Sequence, residues 1–145
     1  MIDVSDKDLT EREAVACGKI VLGEKVYTSL LEGNLPKGDP REAARIAGII
    51  GAKKAHELIP LCHPIILDHI SIDFELLPEE FSIEIIAKVK ARERTGVEME
   101  ALTAVTLAAL TIYDMCKSLD KGIVIKDVHL VSKRGGKSGD FFRER

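Results

Sequence analysis

The chain has 145 residues, 46% hydrophobic and 31% charged, which suits one compact domain spanning 1–145 and excludes a disordered polyelectrolyte. A net charge of −3, aromatics at 4% and no tryptophan supply neither the basic field nor the stacking platform of a nucleic-acid binder. Three cysteines, odd in number and widely spaced at Cys17, Cys62 and Cys116, form no disulfide framework and no paired metal motif, so a reduced, cytoplasmic setting is the expectation.

The N-terminal "MIDVSDKDLT" carries acids where an export signal needs a basic start and an apolar run. Ala14–Leu22 reads as a strand, and "GEKVYTSLLEG" as a short helix closed by Gly33. After the loop "LPKGDP", Asp39 and Pro40 form a helix start, because Asp accepts a free backbone N–H and Pro supplies a preset φ. That helix should run from Pro40 to about His56. Its Ala43, Ala44, Ala47, Gly48, Gly51 and Ala52 leave little bulk, so a second backbone can approach closely.

From Ile70 the period changes to two: Ile70, Ile72, Phe74 and Leu76, then, after the "LPEE" turn, Phe81, Ile83, Ile85, Ala87 and Val89. This is a hairpin with one wet face, and its inward phase carries Phe74 and Phe81, which argues against an RNA binder that would need exposed sheet aromatics. Thr95 and Glu98 have capping-box spacing at the start of a long helix. Its longest uncharged stretch, Ala101–Tyr113, falls short of the roughly 20 residues of a membrane span. A last strand, "IVIKDVHLV", slips phase at Lys126-Asp127 as a bulge would, and "SKRGGKSGDFFRER" reads as a Gly-rich basic loop. The order strand, helix, strand, strand, helix, strand predicts an α+β ferredoxin-like sandwich, an antiparallel four-stranded sheet with helices packed on one face.

Three segments carry candidate chemistry. On the long helix, Asp114 and Lys117 stand at i and i+3 and can form an acid/base pair; a plain surface ion pair is the alternative. A helix so apolar around its circumference should hold its few charges near buried surfaces. Glu100 lies fourteen residues before Asp114, roughly 40° away around the axis but about 21 Å along it, so the two acids cannot grip one small group. "ELIPLCHPII" fixes Cys62 and His63 between two prolines, where either a ligand contact or a packed Cys with a satisfied His fits. No metal is expected, since adjacent Cys and His do not reproduce zinc-ligand spacing. "SKRGGKSGDF" and "PKGD" offer Lys133, Arg134, Lys137 and Lys37 to an anion, although Val131 stands where a P-loop needs Gly.

Taken together, "PKGD…ARIAGIIGAKKAHELIPLCHP", "GVEMEALTAVTLAALTIYDMCKSLDK" and "GGKSGDF" resemble the cyclic pyranopterin monophosphate synthase family of molybdenum cofactor biosynthesis, over nearly the whole chain. The resemblance implies a lyase that takes a 3′,8-cyclised dihydro-GTP, made by an upstream radical enzyme, to cyclic pyranopterin monophosphate with release of pyrophosphate. It implies a ferredoxin-like homohexamer, a trimer of dimers with sites between chains. At matching positions it implies Asp114, Lys117 and Lys37 as catalytic, Leu61, Cys62, His63, Met99 and Glu100 as substrate contacts, and Arg12, Lys133 and Lys137 toward the triphosphate. No cofactor is implied beyond Mg²⁺ that could accompany the phosphates, and no nucleic acid or membrane partner. Pro40 after "PKGD" and Ile65-Ile66 after "HP" depart from the family's usual residues. A nucleotide sensor using the same pocket without turnover is the rival.

Overall fold

The computed structural model describes residues 1–143. Its elements run β1 (Thr10–Val21), α1 (Glu24–Glu32), α2 (Arg41–Lys53), α3 (Ala55–Leu58), β2 (His69–Leu77), a 3₁₀ turn (Pro78–Glu80), β3 (Ser82–Glu93), α4 (Glu98–Cys116), β4 (Val124–Arg134) and β5 (Phe141–Phe142). The strands form one sheet in the order β2-β3-β1-β4-β5, every pair antiparallel. The sheet is therefore α+β but has five strands rather than four. The Gly-rich tail is not a plain loop: Gly135, Gly136 and Gly139 take positive φ and turn the chain back, so that Phe141 pairs with Lys133. A Cβ at Gly135 would strike the Glu11 carbonyl, so only glycine allows this return path.

Alternation sorts the sheet into two faces. Ala14, Ala16, Ile20, Ile83, Ile85, Ala87 and Val89 are wholly buried on one face. α4 covers that face across β1, β3 and β4, while α2 lies beside α4 and over β2. The small residues of α2 behave as expected: a Cβ on Gly48 would come within 2.8 Å of the Ala104 carbonyl, and one on Gly51 within 2.9 Å of Leu107. α4 is long and apolar enough to pass for a membrane span by composition. Half of its apolar window is buried inside this fold, with Val105, Ala108, Ala109 and Ile112 at 0% exposure.

Several local expectations need correction. The Pro40–His56 helix breaks at Lys54 (φ −106°), leaving Ala55–Leu58 as a separate turn; at its start Asp39 Oδ1 does accept the Arg41 N–H at 3.0 Å. β1 begins at Thr10 rather than Ala14, because its polar end still pairs with Arg92 and Glu93 of β3. Thr95 does not cap α4: Val97 takes the N-cap position with no side-chain cap bond, and Glu98 instead faces Lys133 at 3.8 Å. Phe81 is not inward. It closes the 3₁₀ turn at φ 50°, is 37% exposed and meets Tyr27 edge-on at 6.0 Å. The bulge is where the phase slip put it, with the β1–β4 register shifting between Cys17 and Lys19 and Asp127 at φ 56°.

Candidate active site

The N-terminal end of α4 is dry. Glu100 enters the first turn, where the helix dipole favours an acid, yet its residue is only 2% exposed. Its Oε2 accepts the Cys62 thiol at 3.6 Å, whereas the buried Oε1 has no hydrogen-bond partner among the described residues. Burial raises the Glu100 carboxyl above its ordinary value. Burial first, and the Glu100 charge second, push the Cys62 thiol up to about 11. His63 Nε2 donates to the Ile2 carbonyl at 2.7 Å, which ties the N-terminal segment across the site. Together with Leu61 and Met99 these groups line a cavity of about 390 Å³. All five expected substrate contacts thus meet in one place.

Next to it lies a smaller cavity of about 180 Å³ walled by Thr10, Arg12, Gly136 and Lys137. Arg12, 7% exposed, donates to the backbone carbonyls of Glu93 at 3.3 Å, Arg94 at 3.2 Å and Gly135 at 3.4 Å. Much of its donor capacity therefore goes to holding β1, β3 and the glycine loop in place. Thr10 Oγ1 is buried without a hydrogen-bond partner among the described residues. Lys133 is drawn toward Glu98 and also donates to Ser138 Oγ at 3.4 Å. Sequence reasoning missed Lys7, which lines both cavities; it sits in an irregular polar segment whose spacing signals nothing.

The C-terminal end of α4 is wet. Lys117 Nζ lies 3.0 Å from Asp114 Oδ1 one turn on, and Lys37 Nζ approaches Oδ2 at 3.7 Å. Lys37 is presented by a short turn in which buried Leu35 anchors the chain and its carbonyl takes the Gly38 N–H at 3.0 Å. The hydrogen bond from Lys117, then the charge of Lys37, hold the Asp114 carboxyl below its ordinary value. Within one chain this trio is open: the side chains of Lys37, Asp114 and Lys117 are 53%, 59% and 49% exposed. The expectation that the pair lies against buried surface is not met by a single chain.

Asp114 ionised between two ammonium groups can take a proton from a bound ligand while the lysines offset developing negative charge. The Glu100 cavity, with a desolvated carboxyl and an apolar rim, can receive a flat polar ring that offers N–H donors. Spaced by fourteen residues of helix, roughly 21 Å, the two clusters of one chain cannot serve the same small molecule. Among the described residues no group of three or more His, Cys, Asp or Glu is arranged to hold a metal ion.

The sequence model of the MoaC family matches residues 1–136. The chain belongs to this family. A cyclic pyranopterin monophosphate synthase of Clostridium botulinum is 53% identical over 144 residues, covering 99% of this chain and 91% of that protein. One of Desulfatibacillum aliphaticivorans is 55% identical with the same coverage. A third, from Arabidopsis thaliana and named as mitochondrial, is 51% identical, covering 99% of this chain and 53% of the plant protein. The MoaC match takes in both clusters at the ends of α4 and stops one residue before Lys137.

Proposed function

We propose that this chain is a cyclic pyranopterin monophosphate synthase, a lyase that converts 3′,8-cyclised dihydro-GTP to cyclic pyranopterin monophosphate and pyrophosphate in molybdenum cofactor biosynthesis. The observation that carries this function is Asp114 held between Lys37 and Lys117, in a chain about half identical along its length to named synthases. Ring opening and reclosure of a purine require several proton transfers, which an ionised carboxylate and neighbouring ammonium groups supply. A sugar hydroxyl then attacks the innermost phosphorus and loses its proton as the bond to the β-phosphate breaks. The departing pyrophosphate carries the charge that Arg12, Lys133 and Lys137 offset.

The working site is composite. Its acid/base trio comes from one chain and its Glu100 cavity from another, in a homohexamer built as a trimer of dimers. The exposure of the trio and its roughly 21 Å separation from the cavity support this arrangement. The strand order β2-β3-β1-β4, with α2 and α4 on one face, supports assigning the core to the ferredoxin-like sandwich. The upstream radical enzyme is a pathway partner, the setting is cytoplasmic, and Mg²⁺ enters only as a companion of the substrate phosphates.

The test is reconstitution. With the upstream radical enzyme and GTP, the wild-type chain should release pyrophosphate and yield a pterin; tight binding without turnover would make it a sensor instead. Mixing refolded Asp114→Asn and Glu100→Gln chains should restore about a quarter of wild-type activity, because half the random dimers keep one intact site. No recovery in verified mixed dimers would refute the shared site.

A further inference from the structure

The two cavities at the N-terminal end of α4 are joined by a line of polar contacts that the proposed reaction does not use. Glu98 lines the larger cavity, and its Oε1 lies 3.8 Å from Lys133 Nζ. Lys133 Nζ donates in turn to Ser138 Oγ at 3.4 Å, and Ser138 belongs to the glycine loop whose Gly136 and Lys137 line the smaller cavity. One ammonium thus stands between the wall of one cavity and the loop of the other. Both charged side chains are partly buried, Lys133 at 21% exposure and Glu98 at 31%.

Charge accounts for the pairing. Lys7, Arg12 and Lys137 line the smaller cavity, and among its lining residues only Asp8 opposes them. Lys133 adds to that excess, since it pairs with Ala14 across β1 and β4, two residues along β1 from Arg12. Glu98 is the carboxylate that balances it. Gly96 makes room for this: a Cβ there would strike the Glu98 carboxylate. At 3.8 Å the contact is longer than the about 2.7–2.9 Å of a charged hydrogen bond, so Lys133 is drawn by charge and not locked by geometry. An ammonium held in this way changes partner when a denser anion comes within reach.

We infer that Glu98 is the resident counter-ion of Lys133 and a positioning residue for the reaction: a phosphate chain entering the smaller cavity draws Lys133 off Glu98, and the released carboxylate turns to the N–H donors of the ring in the larger one. The inference rests on the reading of Arg12, Lys133 and Lys137 as phosphate contacts. Glu98 stands in the first turn of α4, where the helix dipole favours the released negative charge. The phosphates of the substrate thereby prepare the cavity for its own ring.

Inorganic pyrophosphate titrated calorimetrically into the folded full-length chain tests this, at about 0.15 M salt, where exposed charges are screened beyond roughly 8 Å. Lys133→Ala should weaken binding about tenfold. Glu98→Gln should tighten it about fivefold, the strength of a partly exposed ion pair, and the gain should vanish in the Lys133→Ala background. Gly96→Ala, at a position without positive φ, displaces the Glu98 carboxylate without removing it and should tighten binding by a similar factor. In turnover, Glu98→Gln should lower kcat and KM together, a split that a merely structural role does not produce. Unchanged or weaker pyrophosphate binding in either variant that melts like wild type overturns the inference. A gain that persists without Lys133 does so too, because it would reflect the field of the lost charge alone. Both outcomes leave Lys133 as a phosphate contact; wild-type binding in Lys133→Ala would remove that reading together with the inference.

Discussion

The two ends of α4 each present an acid on an otherwise apolar helix, and the fold treats them in opposite ways. Glu100 is sealed under the Cys62 loop and its carboxyl is raised by burial; Asp114 stands in solvent between two lysines and is lowered. What separates them is the surroundings, since both are carboxylates on one rod. Desolvation favours the neutral form at one end, and opposite charge favours the ionised form at the other. Such a contrast suits the site proposed above, assembled from one end of each of two chains, in which the desolvated cavity would receive a polar ring and the charged trio would move protons.

The contrast can be broken most severely at the wet end. Asp114→Asn should lower turnover by roughly 10²–10⁴-fold with little change in melting temperature, because an exposed carboxylate adds little to stability; steady-state pyrophosphate release measures it. Lys117→Ala should fall in the same range. Near-normal rates from both would remove the trio from the mechanism.

The dry half depends on packing. Gly48→Ala forces a methyl group against the Ala104 carbonyl and Ile72, pushing α2 from α4, and should cost about 1–3 kcal/mol in denaturant unfolding. The same change spares the trio at the far end, so the residual folded enzyme should keep its turnover number.

The two acids should also give pH dependences of opposite sign. For Glu100 the native state binds more protons than the unfolded one between the two pKa values, so its contribution is fully present below the ordinary value of 4.5 and is lost as pH rises through the elevated native value. Glu100→Gln should therefore melt progressively higher than wild type as pH rises through that window. For Asp114 the contribution is present above 3.8 and fades as pH falls through the depressed native value. Scanning calorimetry between acid and neutral pH on wild type and each variant distinguishes the slopes. The smallest effect is expected at Thr95→Ala, within about 0.5 kcal/mol, since Thr95 caps nothing here; a loss of 1 kcal/mol or more would restore the capping box.

Much of the fold was legible in the chain because it rests on periodicity. The alternation of Ile70–Leu76 and Ile83–Val89, the small residues of α2 and the phase slip at Lys126-Asp127 all record a repeating demand of a buried face. What escaped were features decided by partners distant in sequence. Thr95 and Glu98 have capping-box spacing, but Lys133 on β4 competes for the Glu98 carboxylate. Phe141–Phe142 is too short to signal a strand and pairs only because three glycines return it to β4. Of the candidate site, Asp114 with Lys117 was readable from i, i+3 spacing. Lys7 was not, because only folding brings the N-terminal segment across the Cys62 loop.

Spacing alone determined which residues share a helix turn or a sheet face, since helix and strand geometry follow from the backbone and need no tertiary partner. It also settled that Glu100 and Asp114 of one chain stand too far apart to meet at one ligand. Only the tertiary structure decided which acid is dry and which is wet, that Lys133 faces Glu98, and that Arg12 spends its donors on backbone carbonyls. Burial and charge environment are sums over neighbours that the order of residues does not list, and those sums set the chemistry of each group.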